Sequence, residues 1–375
     1  MKILILSVSP IAIKSFLLGH IQKLSKSHEV LVVSNDIKSV ESLLPANVIS
    51  NEIKILRKPS ILKDLISIFK LVKLFNSYNP DLSISINPKA GLINAIAGTL
   101  SGVKFKVHWF TGQVWATQKG LKRNVLIAFD KLIFFLSDHC LVDSFSQQKF
   151  LIKNNVLNYK KSSVIGKGSV GGVDLKRFKR DPNLRKKFRK KLGINDGEFI
   201  FLFLGRINKE KGVTDLIDAF DSIKGKYINA KILIVGDIED KILKNKKYNK
   251  DSQILYFGST PNPEKFINIA NVLCLPSYRE GFGSVIIEAA ANGVPSLGSN
   301  IYGIQDAIMN NVTGILHKVK SVNDIANKMS FLIENDKNTL EMGKQAYIRA
   351  YNDFDSINHS KMFSEFCEKY IFFTK

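Results

Sequence analysis

Acidic residues are in short supply in this chain of 375 residues: 33 Asp and Glu face 55 Lys and Arg, a formal net charge of +22. Such an excess has three readings: lysine-rich solvated faces, attraction to phosphate-bearing substrates and anionic lipid headgroups, or nucleic-acid binding. The first two are favoured, and no nucleic-acid partner is expected. Cysteine is also scarce. Cys140, Cys274 and Cys367 lie far apart, with no pairing or metal-ligand spacing, which excludes a disulfide framework and suits a reducing cytoplasm. Long apolar runs are missing too. A stretch such as Leu126 to Leu136 is too short and carries Asp130 and Lys131, so no transmembrane helix is expected. The apolar opening, Met1 to Pro10, fits a buried first strand better than a signal peptide, because no cleavage site follows it. No internal repeat and no low-complexity tract is present.

What is there is alternation. Short apolar runs succeed helical patterns along the whole chain, the mark of parallel sheets with crossover helices. In the first half the expected strands are Ile3–Leu6, Val30–Val33, Leu82–Ile86, Lys106–His108 and Cys140–Asp143. In the second half they are Ile200–Leu204, Lys231–Val235, Ile254–Phe257, Val272–Leu275 and Ser296–Leu297. The chain is long enough for two cores. The expected division is an α/β domain over 1–169, an interdomain segment over 170–198 and a second α/β domain over 199–351. Leu184, Phe188 and Leu192 in the interdomain segment predict a short helix with a basic, solvated outer face. Residues 352–375 read as an aromatic-rich helix.

The segment Ser277 to Glu288 holds the most chemical information. The apolar run Val272 to Leu275 breaks at Pro276 and enters a loop with Glu280, Gly281 and Gly283; Ser284 then reads as the N-cap of a helix carrying Glu288 and ending at Gly293. A loop leaving a strand's carboxyl end for a helix N-terminus is where open α/β sheets bind ligands. Two carboxylates eight positions apart can accept hydrogen bonds from two parts of one polyhydroxylated ligand. Arg206 and Lys211 sit in a second such loop, between the strand 200–204 and a helix starting near Val213. They bring two cations to a helix start that can hold a diphosphate.

These segments resemble one family. Ser277 to Glu288 is similar to the Glu-x7-Glu signature of the retaining glycosyltransferases of family 4. Phe201 to Gly212 is similar to that family's phosphate-binding loop, Gly172 to Phe178 to its interdomain element, and Val107 to Ala116 to a loop in its capsule and O-antigen members. The resemblance implies the GT-B fold, two Rossmann-like doubly wound domains facing a central cleft, with the C-terminal helix crossing back onto the first domain. It implies a nucleotide-sugar donor, UDP-linked, and a lipid-linked glycan acceptor on a polyprenyl diphosphate. It further implies a cytoplasmic enzyme in peripheral contact with an anionic membrane at its inner face.

Transfer from a nucleotide sugar leaves negative charge on a diphosphate oxygen, which a metal or fixed cations must neutralise. The Asp-x-Asp sequence Asp353-Phe-Asp355 follows a helical stretch rather than a strand and reads as solvated or as a helix cap. Arg206 and Lys211 are therefore expected to act without metal or other cofactor. Glu288 is expected to accept the ribose hydroxyls and Glu280 to meet the donor sugar or its developing charge. Gly205, Gly281, Phe282 and Gly283 are expected to present backbone N–H groups, with Asn208, Lys209 and Glu210 as spacers. Both tryptophans, Trp109 and Trp115, fall beside His108, Thr111 and Gln113, an acceptor-side set able to stack on and hydrogen-bond a sugar, and the resemblance implies that His108 reaches the cleft and is catalytic together with Arg206, Lys211 and Glu280. Family members often carry paired glycines after the first strand. Here Ser7 to Ile13 has none, so no phosphate contact is expected from that loop.

Two features stay open. Ile61, Leu62, Leu65, Ile66, Phe69, Val72 and Phe75 trace a helical stripe beside Lys63, Lys70 and Lys73, and Leu121 to Leu136 is similar. Both fit burial against the first sheet or docking on a membrane. A sugar-nucleotide epimerase on the same fold, or a basic binding protein without catalysis, are the alternative functions.

Overall fold

The apolar runs become strands, and each group closes its own parallel sheet. The computed structural model describes residues 1–56, 60–239 and 252–372. They fall into two units: Met1–Gly172 with Ser356–Lys375, and Val173–Asp355.

The first unit has β1 (Lys2–Ser7), β2 (Glu29–Ser34), β3 (Ile49–Glu52), β4 (Leu82–Ile86), β5 (Phe105–Phe110), β6 (His139–Val142) and β7 (Ser162–Val164) in the order β3-β2-β1-β4-β5-β6-β7. One face of this sheet is covered by α1 (Leu18–Leu24) and the C-terminal helix Ser356–Phe372, around Ile3, Val32, Val107 and Phe363. The other carries α2 (Ile61–Tyr78), α3 (Pro88–Leu100), α4 (Gly120–Leu136) and α5 (Phe145–Lys153). On α2 the apolar stripe divides. Leu71 and Phe75 are buried, whereas Ile61, Leu62, Leu65, Ile66 and Phe69 are exposed. Burial against the sheet therefore explains only the second half of the stripe.

The second unit starts at Val173, inside the expected interdomain segment. Val173, Phe178 and Ile194 belong to its core. The basic helix of that segment is α6 (Pro182–Lys191), capped by the Asp181 carboxylate, which accepts from Leu184 N. Its charge is not all solvated. Arg189 is buried and donates to the carbonyls of Ile269, Asn195 and Glu198; Arg185 donates to those of Asn268 and Ala270. Two of the expected outer cations instead satisfy backbone acceptors that would otherwise be buried unpaired.

Strands β8 (Phe199–Leu204), β9 (Ala230–Val235), β10 (Ile254–Phe257), β11 (Val272–Leu275), β12 (Ser296–Ser299) and β13 (Gly314–His317) run in the order β10-β9-β8-β11-β12-β13. The helices used below are α7 (Val213–Ile223), α8 (Pro263–Ile269), α9 (Ser284–Ala291), α10 (Val322–Glu334) and α11 (Asp336–Asp353). The last expected helix begins at Ser356 rather than at 352, and 373–375 lie outside the described residues. Phe354 is buried and ends α11, and its carbonyl accepts from Val173 N at 2.7 Å. Asp353 closes α11, 3.7 Å from Arg349.

The three strands that the sequence pattern misses, β3, β7 and β13, all lie at sheet edges. An edge strand has one neighbour and can be short or polar, as Ile-Ser-Asn-Glu of β3 is.

Candidate active site

In the second unit β8 and β11 are adjacent, and the chain proceeds from β8 toward one sheet edge and from β11 toward the other. This is a topological switch point, where the loops leaving two neighbouring strands diverge and leave room for a ligand at their carboxyl ends. The loops are 205–212 and 276–283, which contain Arg206, Lys211 and Glu280.

Local chemistry shapes the first loop. The Asn208 side chain accepts from Lys211 N at 3.1 Å and caps the single turn Lys209–Lys211. Gly212 follows with φ of +66°, and a Cβ built on it would lie 2.1 Å from the Pro276 carbonyl oxygen. Only glycine lets the two loops touch here. Tyr278 N donates to the Glu210 carbonyl at 2.8 Å, Arg279 Nε to Glu210 Oε2 at 3.0 Å, and Tyr278 Oη to Asp215 Oδ2 at 2.8 Å. Asn208 and Glu210 are thus not spacers; they build the loop and fasten it to its neighbour.

At the centre of this arrangement the Lys211 ammonium forms an ion pair with Glu280 Oε1, which also accepts from Ser277 Oγ at 2.9 Å. Lys211 and Glu280 keep 21% and 14% of their side-chain surface exposed, enough to meet a ligand while held in place. Gly303, with φ of +83°, backs the loop: a Cβ there would lie 2.6 Å from the Gly281 carbonyl oxygen. Phe282 is buried against Phe354. Gly283, with φ of +88°, is the residue before α9, so Ser284 opens the helix rather than capping it, and no side chain caps α9.

Glu288 is half-buried in the second turn of α9. Burial raises its pKa to about 7; Arg177 opposes the rise and Glu264 adds to it. Arg177 holds Glu264 Oε2 through Nε at 3.1 Å and Nη2 at 3.0 Å. Arg206, beyond Gly205, is more than half exposed and pairs with Glu239 at 3.3 Å; Asn208 Nδ2 also donates to Glu239, at 2.8 Å. Ser277 could have been read from its place three residues before Glu280. Arg177 lies in the segment Gly172 to Phe178, already marked by its resemblance, whereas Glu239, Glu264 and Gly303 carry no local signal and reach the site only through folding.

The acceptor-side set, in the first unit, is placed differently from expectation. His108 does not close its strand. It lies within β5, wholly buried against Gly91 of α3, with Nδ1 3.0 Å from Ser85 Oγ. Burial holds its pKa down to about 3, so the ring is neutral. Trp109 is buried among His20, His359 and Phe363. Trp115 is buried against Phe150 and donates its indole N–H to Asp130 Oδ2 at 2.7 Å. Gln113 is buried and accepts from Gln147 Nε2 at 3.2 Å. His108 and Trp109 are buried because β5 is an interior strand covered on both faces, whereas Gln113 and Trp115 follow β5 and are buried against Gln147 and Phe150 of α5. Thr111, just past β5, is the member of the set that stays half-exposed. In the glycine-free loop after β1, Ser7 Oγ donates to Ser9 O and Asn87 Oδ1 at 3.1 and 3.2 Å.

The sequence model of the family described as Glycosyl transferases group 1 matches residues 185–349, a span holding Arg206, Lys211, Glu280 and Glu288. Over 349 residues the chain is 32% identical to the capsular polysaccharide biosynthesis glycosyltransferase CapM of Staphylococcus aureus, covering 90% of this chain and 89% of CapM. The chain belongs to the group 1 glycosyltransferases. It is also 26% identical over 319 residues to the UDP-Gal:alpha-D-GlcNAc-diphosphoundecaprenol alpha-1,3-galactosyltransferase of Escherichia coli, with 80% of this chain and 78% of that one covered. Among solved structures, HepE of Anabaena in complex with UDP superposes with a TM-score of 0.81 at 20% identity, over 98% of this chain and 100% of that one. At that identity the likeness concerns the fold, which is GT-B: two Rossmann-like units with parallel sheets. The enzyme is a glycosyltransferase.

Proposed function

We propose that this glycosyltransferase moves a sugar from a UDP-sugar to a glycan carried on a polyprenyl diphosphate, with retention of anomeric configuration, in bacterial capsule or O-antigen assembly. The observation that carries the reading is the meeting of Lys211 and Glu280 at the switch point of the second sheet. Lys211 and Arg206 would neutralise the leaving diphosphate in place of a metal ion. Glu280 would orient the donor sugar, Glu288 would accept the ribose hydroxyls, and the backbone of 281–283 would donate to sugar and phosphate. The bond from the anomeric carbon to the diphosphate oxygen breaks. The acceptor oxygen bonds to the same face of that carbon, and its proton passes to the leaving oxygen. Thr111 would lie on the acceptor side. The donor and carrier follow those in the names of the Escherichia coli relative and of the Anabaena structure with UDP. The carrier would place the reaction at the inner face of the cytoplasmic membrane.

The test is thermal unfolding with UDP, GDP and ADP, each with EDTA or excess magnesium. A ligand at about 100 times its dissociation constant stabilises the fold by roughly 2.7 kcal/mol. Stabilisation by UDP alone, undiminished by EDTA, is expected. Lys211→Ala and Glu280→Ala should each abolish transfer while the protein remains folded. Normal turnover in either variant, or no response to any nucleotide, would overturn the assignment.

A further inference from the structure

Each of the two cations in the loop after β8 is matched by one carboxylate. Lys211 pairs with Glu280 on the β11 side, and Arg206 pairs with Glu239 on the β9 side. The four charges cancel, in a chain whose formal net charge is +22. Glu280 has a part in the proposed transfer, toward the donor sugar. Glu239 has none, yet it stands against the cation proposed to hold a diphosphate.

The main chain fixes Glu239 in that place. Past the paired strands, Ile207 N donates to the Asp237 carbonyl at 2.8 Å and Glu239 N to the Ile207 carbonyl at 3.0 Å, so the loops leaving β8 and β9 run side by side. Gly236 permits the approach: a Cβ built on it would lie 1.9 Å from the Gly205 carbonyl oxygen. The carboxylate is tied down as well. Asn208 Nδ2 donates to Glu239 Oε2 at 2.8 Å, while Asn208 Oδ1 accepts from Lys211 N at 3.1 Å. One side chain thus joins the acidic group to the turn that carries Lys211.

Arg206 is the loose partner. Its Nη1 alone meets Glu239, 3.4 and 3.3 Å from the two carboxylate oxygens, and its side chain is 57% exposed. Among the described residues Nε and Nη2 have no partner. A two-nitrogen fork would hold the guanidinium rigidly; a single long contact in water does not. The fixed carboxylate does act on any anion that Arg206 binds, because repulsion between like charges needs no contact. Free UDP presses that point. Losing its sugar exposes a terminal phosphate that takes a further negative charge above a pKa of about 6.

We infer that Glu239 is a fixed counter-charge that keeps the loop's hold on the product UDP loose, so that the product leaves after transfer. The inference deepens the proposed function and rests on its reading of Arg206 as a diphosphate ligand. Its sign is opposite to that of a residue that merely holds Arg206 in position, whose loss would weaken UDP binding.

The experiment is calorimetric titration of UDP and of uridine into the full chain and its Glu239→Gln variant, at low and high salt, with UDP dissociation followed by stopped flow. Glu239→Gln keeps the shape and the backbone bonds, and its melting transition without ligand should match the parent's. UDP should bind the variant about tenfold more tightly at low salt and leave it correspondingly more slowly. The gain should shrink at high salt, and uridine should bind both proteins alike. Glu334→Gln is the control for net charge. Glu334 closes α10 and pairs with Lys226 at 2.7 Å, beyond the end of α7 away from the site, so its loss should leave UDP binding unchanged. Unchanged or weaker UDP binding by Glu239→Gln would overturn the inference. So would an equal gain for uridine, or an equal gain in Glu334→Gln. A parent protein that does not bind UDP would overturn the proposed function together with this inference, whereas a parent that binds UDP beside an unaltered variant would overturn this inference alone.

Discussion

Gly212→Ala tests whether the two loops of the site are joined as a unit. The added Cβ would lie 2.1 Å from the Pro276 carbonyl oxygen and 2.9 Å from its carbon, where real contacts essentially never fall below 3.0 Å. The loops must therefore separate by roughly 1 Å, the difference between 3.0 and 2.1 Å. Holding alanine at φ of +66° adds about 1–2 kcal/mol, and forcing the backbones apart adds about 1–3 kcal/mol. A total of about 3 kcal/mol would lower the melting transition of a unit this size by about 6–12 °C. Lys211 precedes Gly212 directly, so the same displacement pulls its ammonium from Glu280. A misplacement on the order of 1 Å can cost about a hundredfold in rate. Gly225→Ala is the control: nothing lies within 4 Å of its built Cβ. It should be neutral, or stabilising by up to about 1 kcal/mol. The assays are differential scanning calorimetry and transfer kinetics. A Gly212→Ala protein that melts and turns over like the parent would refute the reasoning.

Three further outcomes are expected. The pKa of Glu288, raised to about 7, means that its carboxyl gains a proton below neutrality; in the proposed ribose-binding role it would then accept hydroxyls less well. Uridine affinity, measured calorimetrically, should fall by up to about tenfold per pH unit below about 7, and Glu288→Gln should flatten the profile; parallel profiles would remove Glu288 from the ribose. Asp130 is also raised, from 3.8 to about 7, by burial first, with the Trp115 hydrogen bond opposing. The folded state then holds a proton that the unfolded state has lost, so the contribution of Asp130 to stability is greatest below 3.8 and declines as pH rises toward about 7. Asp130→Asn should escape that decline and exceed the parent by up to a few kcal/mol near neutrality, and denaturant titrations at several pH values that track the parent would contradict this. Trp109→Ala should cost about 3–5 kcal/mol in stability; unchanged stability with only a raised acceptor KM would return Trp109 to the acceptor site.

The two loops of the candidate site in the second unit were legible because their elements are local. Apolar runs predict β8 and β11, and glycines with interspersed carboxylates and cations mark the loops that follow. The burial of His108, Trp109, Gln113 and Trp115 was not legible, because aromatic clustering looks the same in a binding loop and in a core. Whether Trp109 meets solvent depends on α1 and the C-terminal helix, and no window around residue 109 contains them. The lengthwise division of the α2 stripe has a similar origin: its second half faces α3 and its first half faces nothing described.

The sequence by itself determined the periodicities, the two sheet-forming groups, and the chemistry placed in the loops after β8 and β11, since each is a property of a few consecutive residues. Only the tertiary structure decided that β8 and β11 are neighbours, so that Lys211 meets Glu280 sixty-nine positions away. It also decided that Arg206 pairs with Glu239, that Arg177 and Glu264 face Glu288, and that His108 is sealed beneath Gly91. Strand order and helix packing are set by burial summed over a whole unit, and that sum is not contained in any segment of the chain.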